Sequence, residues 1–254
     1  MTDFEPRILA FLCNWAGYAA CDIAGTKHLQ LPPMLEVRVM CTGRVDPCQL
    51  IEAFLNGCAG VMLVGCRKGE CRYENGNYHA EMRISWVRKA LHRIGIIPDR
   101  LDCNWIGAED EQAFRNVAEV FNTKVKSLGR LGEAEGLETR ELESRLKALR
   151  EVFSGERMRW LIGRHFDLSG RTDVFGNPVS SSSFEKEVMD VFHSEYERGR
   201  ILVASGDAAR SVVEIAKMTA INPDLVMREV IALKRQGKLS FEGIVEGVPQ
   251  YKRI

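Results

Sequence analysis

The residues best suited to chemistry in this chain are its cysteines, eight thiols at positions 13, 21, 41, 48, 58, 66, 71 and 103. Thiolates serve as metal ligands, redox pairs and nucleophiles, and their spacing separates these uses. Cys66 and Cys71 bracket the stretch GCRKGECRY with four residues between them. That is too wide for a Cys-x-x-Cys redox pair, and no histidine pair stands nearby to complete a zinc site. The five histidines, at 28, 79, 92, 165 and 193, lack ligand spacing; His79, nearest the thiols, reads as a surface residue. No G-x-G-x-x-G follows a strand, and neither a P-loop lysine motif nor a G-x-S-x-G elbow occurs, so hydrolase and nucleotide chemistry are not supported. The partners of Cys66 and Cys71 must come from elsewhere in the chain.

The elements that position them alternate up to about residue 128. PRILAFLCN, LEVRVMCTG, GVMLVGC and RLDCNWIGA read as strands. Between and after them GYAACDIAGTKHL, DPCQLIEAFLNG, NYHAEMRISWVRKALHRIG and AEDEQAFRNVAEVFNTKVKSLG read as helices. Asp46 is the expected N-cap of the second helix, with Pro47 in its first turn. Apolar strands joined by helical crossovers argue for a parallel sheet covered on both faces, a flavodoxin-like α/β architecture with its ligand site beyond the carboxyl ends of the strands.

In that frame Cys13, Cys41 and Cys66 close the first three strands and Cys71 lies in the loop after the third. Parallel strands end on one edge, so four thiols distant in sequence can converge. Four thiolates without histidine suit zinc or an iron–sulfur cluster. Cys48, Cys58 and Cys103 read as core residues, as does Cys21, about two helical turns beyond its strand. Gly17, Gly43, Gly65 and Gly69 flank the thiols and would let backbone amides approach sulfur. Arg44, Arg67, Lys68 and Arg72 would offset a thiolate cluster's charge or simply be solvated, and Trp15 would shield the site or pack.

These residues also carry a resemblance. ILAFLCNW, VMCTGRVDP and GCRKGECRYENGNYHAEMRI closely resemble the delta subunit of methyl-viologen-reducing hydrogenase, over roughly residues 6 to 128. The resemblance implies a flavodoxin-like domain with one [2Fe–2S] cluster, Cys13, Cys41, Cys66 and Cys71 corresponding to family cysteines. It implies an electron relay from a hydrogenase or formate dehydrogenase to the FAD-containing subunit of a heterodisulfide reductase-like, electron-bifurcating complex. The family commonly reads Cys-Asn-Trp-Cys, whereas this chain reads Cys13-Asn14-Trp15-Ala16.

Beyond about 130 the character changes. GRLGEAEG punctuates the chain, and a charged helical stretch follows with Leu142, Leu146, Leu149 and Phe153 along one packing stripe. DLSGRTDVFGNPVSSSS reads as a linker, and three helices and a β-hairpin complete a winged-helix-like order. The expected organisation is a cluster domain over 1–130, a helical connector over 131–180 and a winged-helix-like domain over 181–254. Lys and Arg together number 35 and Asp and Glu 35, so no global charge recruits nucleic acid or an anionic membrane. With no membrane-length apolar run and no signal-type N-terminus, a cytoplasmic location is expected, where cysteines stay reduced or metal-bound. The rival function is an iron–sulfur-sensing transcription regulator reading DNA through Arg228, Lys234, Arg235 and Lys238. Asp224, Glu229, Glu242 and Glu246 interrupt that basic face and favour protein docking over nucleic acid.

Overall fold

The computed structural model describes residues 4–168, 180–206 and 208–254. These fall into two units, Met1–Leu142 and Glu143–Ile254. Most of the expected linker lies outside the described residues.

The first unit is built on four strands, β1 (Ile8–Cys13), β2 (Leu35–Val39), β3 (Gly60–Cys66) and β4 (Leu101–Ile106). All pair in parallel in the order β2-β1-β3-β4, which is the opening of the doubly wound order 2-1-3-4-5. The crossover helices are α1 (Gly17–Thr26), α2 (Pro47–Leu55) and α3 (Gly76–Arg93), and α4 (Glu111–Leu128) follows β4. Alternation along the strands sends Ile8, Ala10, Leu12, Met62 and Val64 into one core with Ala20 and Ala24 of α1 and Phe114, Phe121 and Val125 of α4. Every residue of the central strand β3 is buried. By contrast β2 is an exposed edge strand, with Leu35 45% and Val37 38% accessible, so the sheet is not covered on both faces throughout.

Local sequence explains the helix starts. Asp46 caps α2, accepting from the Cys48 amide, while Gln49 accepts from the Asp46 amide and Pro47 stands at the first helical position. Asp110 caps α4 through the Ala113 amide. The segment after α4 is folded back by one buried side chain. Arg100 donates to both carboxylate oxygens of Glu135, at 2.6 and 3.0 Å, and to the carbonyls of Ala59, Leu128, Gly129 and Arg130. Both partners of that ion pair are fully buried.

The second unit takes in most of α5 (Thr139–Ser154), then α6 (Glu156–Gly163), α7 (His165–Leu168), α8 (Ser181–Ser205), α9 (Val212–Thr219), α10 (Pro223–Arg235) and the antiparallel pair β5 (Leu239–Val245) and β6 (Val248–Arg253). The expected stripe of α5 is buried. Ser211 and Glu214 form a capping box at α9, and Asn222 caps α10 ahead of Pro223. Three helices and a hairpin are thus present in the expected order. Glu246 and Gly247 both take positive φ, 50° and 80°, the conformation that a tight two-residue hairpin turn requires. Ile201, Ile215, Val226, Val230, Leu233, Leu239 and Tyr251 share the core of these elements.

Candidate metal centre

The carboxyl ends of β1 and β3 bring Cys13 and Cys66 to neighbouring positions, with their sulfurs 3.7 Å apart. Cys41 follows β2 by two residues instead of closing it, and starts a 3-10 turn, Thr42–Arg44, whose Gly43 amide donates to its sulfur at 3.4 Å. Cys71 stands 3.9 Å from Cys41, sulfur to sulfur. The two pairs are also electrostatic neighbours, Cys13 acting on Cys41 and Cys71 on Cys66. The four expected thiols therefore do come together, as two close pairs. Among the described residues no group of three or more such side chains is arranged to hold a single metal ion.

The loop after β3 carries Cys71 in a defined turn. Gly69 and Glu74 adopt positive φ, 82° and 61°, and a bridge joins Cys71 to Glu74. Asn77, fully buried in the first turn of α3, donates its side-chain amide to the carbonyls of Cys66 and Arg67 and so ties the helix start to the strand end. Gly76 precedes it, where any side chain would crowd two of the thiols. A Cβ there would lie 2.3 Å from the Cys41 sulfur and 3.1 Å from that of Cys71. Gly43 is similarly pressed against the Gly76 backbone, whereas Gly17 and Gly65 serve helix and side-chain packing, against Val64 and against Trp105 and Thr42.

The electrostatics differ from thiol to thiol. Burial pushes Cys66 up to about 12 and Cys41 up to about 11, with neighbouring thiols adding to both shifts. Burial raises Cys71 too, but the amides of Tyr73, Asn77 and Gly76 and the Cys41 thiol outweigh it, and Cys71 ends below its ordinary value. Four soft donors, lined by amides, are ready to exchange protons for metal charge.

The remaining expected residues divide. Arg72 stacks over Trp15 at 4.6 Å beside the site. Arg67 instead pairs with Asp110, and Lys68 pairs with Glu81 between the rings of Tyr78 and Trp105. Arg44, Arg83 and His79 line a recess of about 500 Å³ with Met40, Cys41 and Tyr73. Burial followed by Arg83 lowers the pKa of His79, which is half-buried in the wall of that recess. The Cys21 thiol donates to Glu36, 3.3 Å away, and burial followed by that carboxylate pushes it up to about 12. Cys58 is buried, while Cys48 and Cys103 are half-buried. Ala16 is buried against Cys13 and Cys66. Asn77 and Gly76 went unremarked in the sequence, where the run ENGNYH before a helical pattern is the only signal of a built helix start.

The family described as methyl-viologen-reducing hydrogenase, delta subunit, matches residues 8–129. The iron-sulfur subunit of an F420-non-reducing hydrogenase from Archaeoglobus profundus is 39% identical over 128 residues, 50% of this chain and 93% of that protein. The chain belongs to the methyl-viologen-reducing hydrogenase delta subunit family. The corresponding vhu iron-sulfur subunit of Methanocaldococcus jannaschii is 39% identical over 126 residues, 49% of this chain and 94% of its own length. A stretch of one subunit of the ferredoxin/F420H2-dependent CoB-CoM heterodisulfide reductase of Methanosarcina acetivorans is 38% identical over 128 residues, 50% of this chain but 16% of that protein. All four thiol positions of the centre lie inside the family match, and everything from α5 onward lies outside it. Among the described residues, no helix is long and apolar enough to cross a membrane.

Proposed function

We propose that the first unit holds one [2Fe–2S] cluster on Cys13, Cys41, Cys66 and Cys71 and that the chain acts as an electron-transfer subunit in the cytoplasm. Its place is between a hydrogenase or formate dehydrogenase-type module and the FAD-containing subunit of a heterodisulfide reductase-like, electron-bifurcating complex. One observation carries the reading. A tetrahedral ion with metal–sulfur bonds of ~2.3 Å holds two thiolates about 3.8 Å apart, and the two sulfur pairs stand 3.7 and 3.9 Å apart. Two such pairs suit two irons, the four-thiolate ligand set of a [2Fe–2S] cluster, better than one zinc ion. The relatives, iron-sulfur subunits of hydrogenases and a heterodisulfide reductase subunit, support the same class of complex.

When bound, the cluster supplies one-electron transfer. The chain's own residues hold the thiolates and donate amides to their charge, and Arg72 on Trp15 covers the site. In this role the second unit, a winged-helix-like module, docks protein. Its α9, α10 and hairpin expose Val213, Met218, Met227, Ile231, Phe241, Ile244, Val245 and Val248, and apolar side chains suit a protein partner better than phosphate. That leaves the regulator alternative without support. The test is anaerobic affinity purification followed by rapid mixing of the reduced protein with the copurified flavin subunit. Flavin absorbance should bleach within the enzyme's turnover time, and an unchanged flavin spectrum would contradict the proposal.

A further inference from the structure

The two thiol pairs are unlike each other, and the difference has a consequence for where an electron sits. Cys13 and Cys66 pack with Ala16 and form the inner pair. The Cys13 sulfur looks onto the Met40 carbonyl at 3.9 Å, and the backbone amide of Arg72 reaches Cys66. Cys41 is no more exposed than Cys66, 5% against 6%, but Cys71 is half-buried. The amides of Tyr73, Gly76 and Asn77 point at Cys71, and the Gly43 amide points at Cys41. Cys41 also lines the recess that carries Arg44 and Arg83.

We infer that Cys13 and Cys66 hold one iron and Cys41 and Cys71 the other, and that the iron on Cys41 and Cys71 is the one reduced. This rests on the [2Fe–2S] reading above. Reduction adds one negative charge, and hydrogen bonds to the ligating sulfurs together with nearby cations stabilise it. Three amides on Cys71 and one on Cys41, beside two guanidinium groups, oppose the Arg72 amide and a carbonyl dipole of the wrong sign on the inner pair. The step is a one-electron transfer from a low-potential iron–sulfur or flavin donor. One ferric ion becomes ferrous, all four thiolates stay bound, and no proton is taken up. The electron then lies on the side that opens to the recess, within reach of a partner's cofactor.

The experiment is Mössbauer spectroscopy of the full-length protein, loaded with the Mössbauer isotope of iron and reduced with dithionite, in the wild type, Cys71→Ser and Ala16→Ser. A serine alkoxide is a harder donor that favours ferric iron. Cys71→Ser should therefore displace the ferrous doublet and lower the equilibrium for reduction about tenfold, ~59 mV for one electron. A ferric doublet displaced instead, with the ferrous one as in the wild type and the equilibrium for reduction unchanged, overturns the inference. Ala16→Ser keeps every thiol and touches only the inner pair, so it decides the matter if Cys71→Ser fails to retain iron. Its ferrous doublet should match the wild type, and a displaced one overturns the inference. Wild-type protein lacking two irons and two sulfides would overturn the cluster reading itself, whereas a loaded cluster with its ferrous iron on the inner pair would overturn only this assignment.

Discussion

Adding a single methyl group at Gly76 separates the fold from the metal centre. In Gly76→Ala the new Cβ lies 2.3 Å from the Cys41 sulfur, and ordinary contact begins at 3.4 Å, so that sulfur must retreat by about 1.1 Å. A thiol without metal does this cheaply, since rotation about χ1 carries the sulfur to another staggered well. The backbone asks nothing, because Gly76 opens α3 with no positive φ, and alanine in a helix is favoured over glycine by about 0.5–1 kcal/mol. The metal-free protein should therefore unfold in urea within about 1 kcal/mol of the wild type. A thiolate bound to iron has no such freedom, for 1.1 Å is about half of a ~2.3 Å metal–sulfur bond. Cluster retention should fall well below half of wild type, read as iron and acid-labile sulfide after anaerobic purification. Wild-type iron with an unchanged spectrum in Gly76→Ala would refute the placement of Cys41 and Cys71 as ligands. A variant that fails to fold would refute the separation of fold from site.

Further outcomes follow from the same contacts. Arg100→Met leaves the buried Glu135 carboxylate unpaired and should cost about 3–5 kcal/mol by urea unfolding, while Arg100→Met with Glu135→Leu should recover much of it. Cys66→Ser should lose or badly perturb the cluster, whereas Cys21→Ser, whose thiol faces Glu36, should keep the paramagnetic resonance spectrum of the reduced wild type. A thiol at position 16 would stand beside Cys13 and Cys66, so Ala16→Cys should restore iron binding to Cys13→Ser. Metal-free stability should decline as pH rises from about 9 toward 12. The unfolded thiols ionise at 9.0 while Cys21 and Cys66 hold their protons to about 12, so the folded state binds more protons in that window and stability falls with pH. Urea midpoints across this range should fall less steeply in Cys21→Ser.

Much of the first unit was legible because its strands are short apolar runs and two of its helices, α2 and α4, carry explicit caps. GVMLVGC is β3 to the residue, and Asp46-Pro47 starts α2 as expected. The thiols could be placed from topology alone, since parallel strands end on one edge. Their pairing could not, because it depends on where β2 stops: Val39 ends the strand, and the turn after it carries Cys41 toward Cys71 instead of toward Cys13. The roles of Gly76 and Asn77 were hidden for a similar reason, each acting across space on a residue in another element. Arg100 and Glu135, 35 positions apart, carry no mark of their pairing in the sequence and meet only in the folded chain. Gly65 was read as an amide donor, yet it clears space for Trp105 and Thr42.

The central claim is that Cys13, Cys41, Cys66 and Cys71 together hold two irons. It is tested most directly by metal and acid-labile sulfide analysis of the anaerobically purified full-length protein, with reductive titration of the same sample. About two irons and two sulfides per chain and uptake of a single electron are expected. One zinc per chain without sulfide, or no bound metal, would contradict it.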